Sequence, residues 1–158
     1  MKKFFLLLCA IAMIGGVSSC KQKKTEKAEP CPITLNDEQR QFVDGNNSFS
    51  LSFLKEMDDW DINGKSFVYS PLSITYVLSM VNDAAEGITS MEMQNTLGFG
   101  DVEKGKINDF CKILIDSLPM ADRNIQLQIA NAVFVNKDYT LKKQFLQNLN
   151  KYYSADAE

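Results

Sequence analysis

Three features of this 158-residue chain predict an α+β fold. Residues 67–81 read as a short extended piece followed by a proline-started, almost wholly apolar helix. Apolar side chains recur at helical spacing over 107–118, and residues 125–135 alternate with period two. Blocks of helical period followed by a strand place helices on one side of a sheet. The composition, 45% hydrophobic and 23% charged, fits one globular domain.

The first residues form an address. Lys2 and Lys3 are a short positive region, residues 4–14 are unbroken apolar, and Gly15-Gly16 ends that run. An apolar run of this length reads as a signal peptide over residues 1–19 and is too short to span a bilayer comfortably. Val17-Ser18-Ser19-Cys20 follows, and this pattern resembles the bacterial lipoprotein lipobox. The resemblance implies cleavage before Cys20, a thioether-linked diacylglycerol on its sulfur and acylation of its amine. Each buried CH₂ then contributes about 0.8 kcal/mol to anchoring. The alternative is a plain secretory signal in which Cys20 has no role. The lipobox reading places the protein in a bacterial cell envelope, lipid-anchored on the periplasmic or extracellular side.

Residues 20–35 read as a flexible tether, charged and poor in large apolar side chains. Its four lysines could touch anionic headgroups, but a solvated linker is the better reading of them. Residues 36–158 form the folded part. Asn36 and Gln39 make a capping box. The helix they start is expected to pause at Gly45 and to resume from Asn47 or Ser48, with Phe49, Phe53, Leu54 and Met57 inward. Phe67 to Tyr69 is expected to be a strand; Ser70 caps the next helix, and Pro71 takes its first position. Leu72, Ile74, Val77, Leu78, Met80 and Val81 surround that helix on most sides, so full enclosure is expected.

Thr89 and Glu92 suggest a second capping box, with Met93 and Leu97 inward and Gly98 as the stop. Ile107, Phe110, Cys111, Leu114, Ile115 and Leu118 line one face of the next helix, which Pro119 is expected to end. Cys111 is then a small core residue and not a reactive thiol. In the strand 125–135, Asn131 sits among branched apolar neighbours and must have fixed partners. Thr140 is expected to cap a last helix that turns Leu141, Phe145, Leu149 and Tyr152 inward.

Two blocks carry a family resemblance. FVYSPLSITYVLSMVNDAAEGITSMEMQNTLGF and ANAVFVNKDYTLKKQFLQNLNKYYSADAE, in this order, resemble the serpin family. The resemblance implies N-terminal helices packed behind part of a central, mostly antiparallel sheet, with a strand, a helix and a further strand in the second block. It further implies that Ser70, Pro71, Ser73 and Asn131 belong to the region where that sheet opens, Pro71 in a structural role. Buried hydroxyls and an amide there would make a polar seam that can part. Ser70 or Ser73 should accordingly reach other core polar groups, and exposure of both would count against the idea. Ser66 stands where the family usually has Asn, which puts one local hydrogen bond in doubt. Inhibitory serpins are suicide substrates. A protease cuts an exposed reactive-centre loop, is acylated by it, and is dragged across the molecule as the loop inserts into the sheet. The resemblance covers about the first third of a serpin and excludes that loop. The expectation is therefore a truncated piece, unable to inhibit alone, with residues 72–81 and 125–135 poorly covered.

Chemistry narrows the alternatives. There is no histidine, which excludes Ser-His-Asp and Cys-His catalysis and His-containing zinc sites. Ser70 and Ser73 have no base beside them in sequence, so no enzyme and no cofactor is predicted. The cysteines Cys9, Cys20, Cys31 and Cys111 show no CxxC spacing, and no metal site is read from them. Residues 59–64 open like a calcium loop, but its twelfth position is Ser70, so an acidic turn is the better reading. The net charge of −3, or −5 for the 15 basic and 20 acidic residues left after 1–19, gives no basic face for nucleic acid. Three functions remain. They are the N-terminal part of a membrane-anchored serpin whose partner is a serine or cysteine protease, a non-inhibitory serpin, and a self-contained lipoprotein binding module.

Overall fold

The computed structural model describes residues 31–60, 64, 66–122 and 124–157. The signal peptide, Cys20, most of the tether and the centre of the acidic turn lie outside the described residues. Helix α1 (Asp37–Trp60) begins at the foreseen capping box: Gln39 N–H donates to Asn36 Oδ1 at 2.8 Å, and Asn36 N–H donates to Gln39 Oε1 at 3.0 Å. It runs through Gly45 without a pause. A Cβ on Gly45 would lie 2.0 Å from the Gly98 carbonyl oxygen, so this glycine serves close backbone approach and does not end the helix.

The segment 66–70 joins no ladder among the described residues, contrary to the expected strand. Tyr69 holds it against α1 by donating its hydroxyl to the Ser50 carbonyl at 2.9 Å, while Val68 is 99% exposed. Helix α2 (Pro71–Ala84) starts where Ser70 and Pro71 place it. It is not enclosed on all sides. Thr75, Tyr76, Ser79, Met80 and Asn82 are buried, whereas Val77 and Val81 stay half open to solvent at 51% and 47%. The described elements leave one stripe of this helix open, Ser73, Val77, Val81 and Ala84, and cover or partly cover the rest.

Helix α3 (Gly87–Thr96) starts ahead of Thr89, behind an extended Glu86 whose side chain makes no cap bond. Gly87 at φ +58 turns the chain directly out of α2, and this makes a Thr89 cap unnecessary. The stop at Gly98 holds. Phe99 N–H donates to the Gln94 carbonyl at 2.9 Å and Gly98 N–H to the Asn95 carbonyl at 3.1 Å, a Schellman ending. Helix α4 (Lys104–Ala121) continues two residues past Pro119, which gives up one bond to the Ile115 carbonyl and leaves only a short last turn beyond it, so the expected stop comes late.

Strand β1 (Asn131–Val133) covers only three of the eleven alternating residues, because its partner β2 (Ala155–Ala157) is equally short. The two pair in parallel, Asn131 opposite Ala155 and Val133 opposite Ala157. A parallel pair needs a crossover, which α5 (Lys143–Tyr153) provides. The mostly antiparallel sheet implied by the resemblance is thus not what these two strands form. Helix α5 begins after Lys142 without a side-chain cap, so Thr140 does not cap it. Ser154, at φ 48, reverses the chain straight from α5 into β2.

Phe42, Phe99 and Phe110 form the centre of the core, meeting edge to face with centroids 5.2, 5.5 and 6.0 Å apart. Ile107, Leu97, Leu149 and Tyr153 close around them. The strand region is open: Ile125 is 63% and Phe134 78% exposed, in keeping with the sparse cover expected for residues 125–135. No helix among the described residues is long and apolar enough to cross a membrane.

Candidate functional site

The start of α2 and the segment before β1 enclose a cleft of about 460 Å³, with Ser70, Ser73 and Tyr76 on one wall and Leu127, Ile129 and Asn131 on the other. Sequence dictates the first wall. Ser70 is extended at φ −112, and its Oγ accepts from the Ser73 N–H at 3.2 Å; Pro71 begins the helix. One turn of helix separates Ser70 from Ser73, so their hydroxyls meet, and Ser73 Oγ donates to Ser70 Oγ at 2.9 Å.

Both serines are exposed, however, and their hydroxyls bond one another and not core groups. The buried polar seam expected at Ser70 and Ser73 is therefore not formed, because no element among the described residues covers these two side chains. Asn131 behaves as a polar residue in an apolar strand must: it is half-buried, and its Nδ2 donates to the Tyr153 carbonyl at 2.8 Å. The cleft thus brings Ser70, Ser73 and Asn131 to one region without a direct bond between its walls, while Pro71, between the serines in sequence, lines a neighbouring cavity. At its floor, the Tyr76 hydroxyl is enclosed with no hydrogen-bond partner among the described residues. Leaving such a group unsatisfied costs about 1–3 kcal/mol.

A second polar assembly was not foreseen. Asp83, in the last turn of α2, accepts from Asn108 Nδ2 of α4 at 2.6 Å and from Asn148 Nδ2 of α5 at 2.9 and 3.1 Å. Tyr153 donates its hydroxyl to Asn108 Oδ1 at 2.7 Å. Asn108 is 3% exposed and Tyr153 wholly buried. A signal for it existed: Asn108 lies on the same helical stripe as Cys111 and Ile115, an amide where the pattern calls for an apolar side chain. Asp83, an acid at a helix C-terminus where the dipole disfavours it, was the second hint.

Cys111 is fully enclosed, and burial pushes its thiol up to about 12, only partly offset by Ser79 and Tyr153 beside it. At pH 8 roughly one thiol in ten thousand is then ionised, and thiolate is the reacting form. Cys31 is exposed. In native protein treated with iodoacetamide and mapped by peptide mass spectrometry, Cys31 is expected to be alkylated and Cys111 to stay unmodified until denaturant is added. Rapid native labelling of Cys111 would contradict its core role.

The comparisons with known proteins decide the family. The family model described as Serpin (serine protease inhibitor) matches residues 44–158. The chain belongs to the serpin family. It is 32% identical over 122 residues to serpin B6 of Bos taurus, covering 73% of this chain and 30% of that one. Neuroserpin of Gallus gallus is 30% identical over 94 residues, covering 60% of this chain and 23% of neuroserpin. Among solved serpin structures, human thyroxine-binding globulin complexed with thyroxine superposes with a TM-score of 0.68 at 26% identity, covering 76% of this chain and 32% of that one. The thermophilic serpin tengpin in the latent state gives 0.64 at 26% identity, covering 80% and 33%. This serpin chain therefore spans 23–33% of the length of these relatives. Its helices with a small sheet are a partial serpin fold.

Proposed function

We propose that this chain supplies the N-terminal part of a membrane-anchored serpin, a suicide-substrate inhibitor of serine or cysteine proteases. The observation that carries the reading is the family match over residues 44–158; Ser70, Ser73 and Asn131 line one cleft within it, although both serines are exposed. In the proposed mechanism these residues border the place where the main sheet parts. A reactive-centre loop, outside the part of a serpin that the chain matches, is cut by the protease, keeps it as an acyl-enzyme and inserts as a new strand. The metastable starting fold supplies the driving force, so its persistence is kinetic. The proposed sheet is mostly antiparallel overall, with β1 and β2 as a parallel element within it. The chain carries no cofactor and performs no catalysis in this reading. Its residues serve as scaffold, and residues 1–19 and Cys20 serve to export it and anchor it to the bacterial envelope.

A non-inhibitory serpin is the second reading. It draws support from thyroxine-binding globulin, a relative in fold whose structure is of a thyroxine complex. One experiment separates the two. The product of the whole reading frame containing these residues is mixed with serine and cysteine proteases and run on a denaturing gel. A detergent-resistant covalent adduct is expected; cleavage of the serpin without any adduct would reject inhibition. Metabolic labelling with palmitate tests the anchor, since Cys20→Ala is expected to abolish incorporation and release the protein from the membrane fraction.

A further inference from the structure

The unforeseen polar groups join the cleft to the opposite end of α2. From Asp83 the hydrogen bonds run to Asn108, from Asn108 to the Tyr153 hydroxyl, and from the Tyr153 carbonyl to Asn131 at the head of β1. Asn131 pairs with Ala155, two residues beyond Tyr153, so the chain of bonds closes on the β1–β2 ribbon itself.

The direction of each bond is set by chemistry. A carboxylate only accepts, so Asp83 demands the NH₂ group of Asn108. With its nitrogen committed, Asn108 can offer only its carbonyl oxygen to Tyr153, and Tyr153 must then donate. No lysine or arginine among the described residues pairs with Asp83, so its charge is met by the amides of Asn108 and Asn148. An uncharged amide in place of Asp83 would remove that demand. Asn108 could then turn over, because its oxygen and nitrogen ends are nearly the same size, and its bond with Tyr153 would lose its fixed polarity.

We propose that Asp83 is a positioning residue for the sheet. Its charge orients Asn108, which seats Tyr153, whose carbonyl retains Asn131 and with it the β1–β2 ribbon on the helices. The device sets how readily the ribbon leaves the helical layer, from a point remote from Ser70 and Ser73. It rests on the geometry alone and stands or falls separately from the protease-inhibitor reading.

Hydrogen exchange followed by mass spectrometry on the full chain tests it, comparing Asp83→Asn, Tyr153→Phe and the double variant. One net hydrogen bond corresponds to a roughly two- to tenfold change. Each single variant is expected to speed exchange by that factor at residues 131–133 and 155–157, with α1 unchanged. The double variant is expected to go no faster than the quicker single one, because both interrupt the same path. Unchanged exchange in Asp83→Asn, multiplied effects in the double variant, or acceleration spread evenly into α1 would each overturn the proposal. If Asp83→Asn does not fold, Tyr153→Phe alone decides: acceleration confined to the ribbon supports the relay, and any other result rejects it.

Discussion

Gly98→Ala is expected to cost roughly 3–5 kcal/mol, combining a strained backbone with overpacking. Gly98 sits at φ +78, and an added Cβ would lie 2.4 Å from the Gly45 carbonyl carbon and 2.5 Å from its oxygen. Both obstructions are backbone, so no side chain can swing aside. α1 and the end of α3 would have to separate, taking Phe99 away from Phe42 and Phe110. Two control glycines divide the effect. Gly100, at φ +71 with nothing near its missing Cβ, should show the backbone strain alone, about 1–3 kcal/mol on changing to alanine. Gly105, within α4 and in open space without a positive φ, should become more stable by about 0.4–1 kcal/mol. Urea unfolding midpoints of the three variants check the series. A Gly98→Ala loss no larger than that of Gly100→Ala would mean that the close approach of α1 and α3 is not tight.

Phe110→Ala should lose about 3–5 kcal/mol, the range for deleting a buried aromatic side chain. Phe110 is 1% exposed and meets both Phe42 and Phe99 edge to face, so its removal leaves two rings without their partner. The surroundings cannot collapse easily, since Phe110 lies on a helix held by Ile107, Cys111 and Ile115 on the same face. Native proteins are stable by only about 5–15 kcal/mol, so this variant should be recovered chiefly as aggregate. Val68→Ala provides the contrast. At 99% exposure it should stay within about 0.5 kcal/mol of the parent. Unfolding midpoints or soluble yields that failed to rank the two in this order would show that the Phe42–Phe99–Phe110 cluster is not the centre of the core.

The residues whose reading agreed with the structure share a property: their partners lie within a few positions in sequence. Asn36 with Gln39, Ser70 with Ser73, and the Gly98 ending all close bonds over five residues or fewer. Periodicity likewise identified Phe110, Cys111 and Leu149 as inward, because a helix shows its buried side every three or four residues. The misplaced features depend on neighbours far away in the chain. Gly45 reads locally as a break, yet it is the socket for Gly98, 53 residues on. Thr89 and Thr140 are good caps that are not used, since the turn at Gly87 and the loop before Lys143 are set by how the helices meet.

The candidate site divides along the same line. The serpin resemblance singled out Ser70, Pro71, Ser73 and Asn131, and the strand pattern required that Asn131 have a partner; the partner, the Tyr153 carbonyl, became visible only in three dimensions. The serpin resemblance implied that Ser70 and Ser73 would be covered, and in the described residues they are not, because cover is a property of other elements. By itself the sequence determined the helices, the caps at Asn36 and Ser70, the stop at Gly98, the family and much of the inward faces, although Leu54 and Met57, expected inward, are exposed; all of this is written in short-range spacing and residue type. The tertiary structure alone decided which stripe of α2 stays open, the parallel pairing of β1 with β2, and the chain of bonds from Asp83 to Asn131. Each of those depends on contacts between segments tens of residues apart, where the free energy comes from packing and from pairing buried polar groups, and no local pattern encodes the partner.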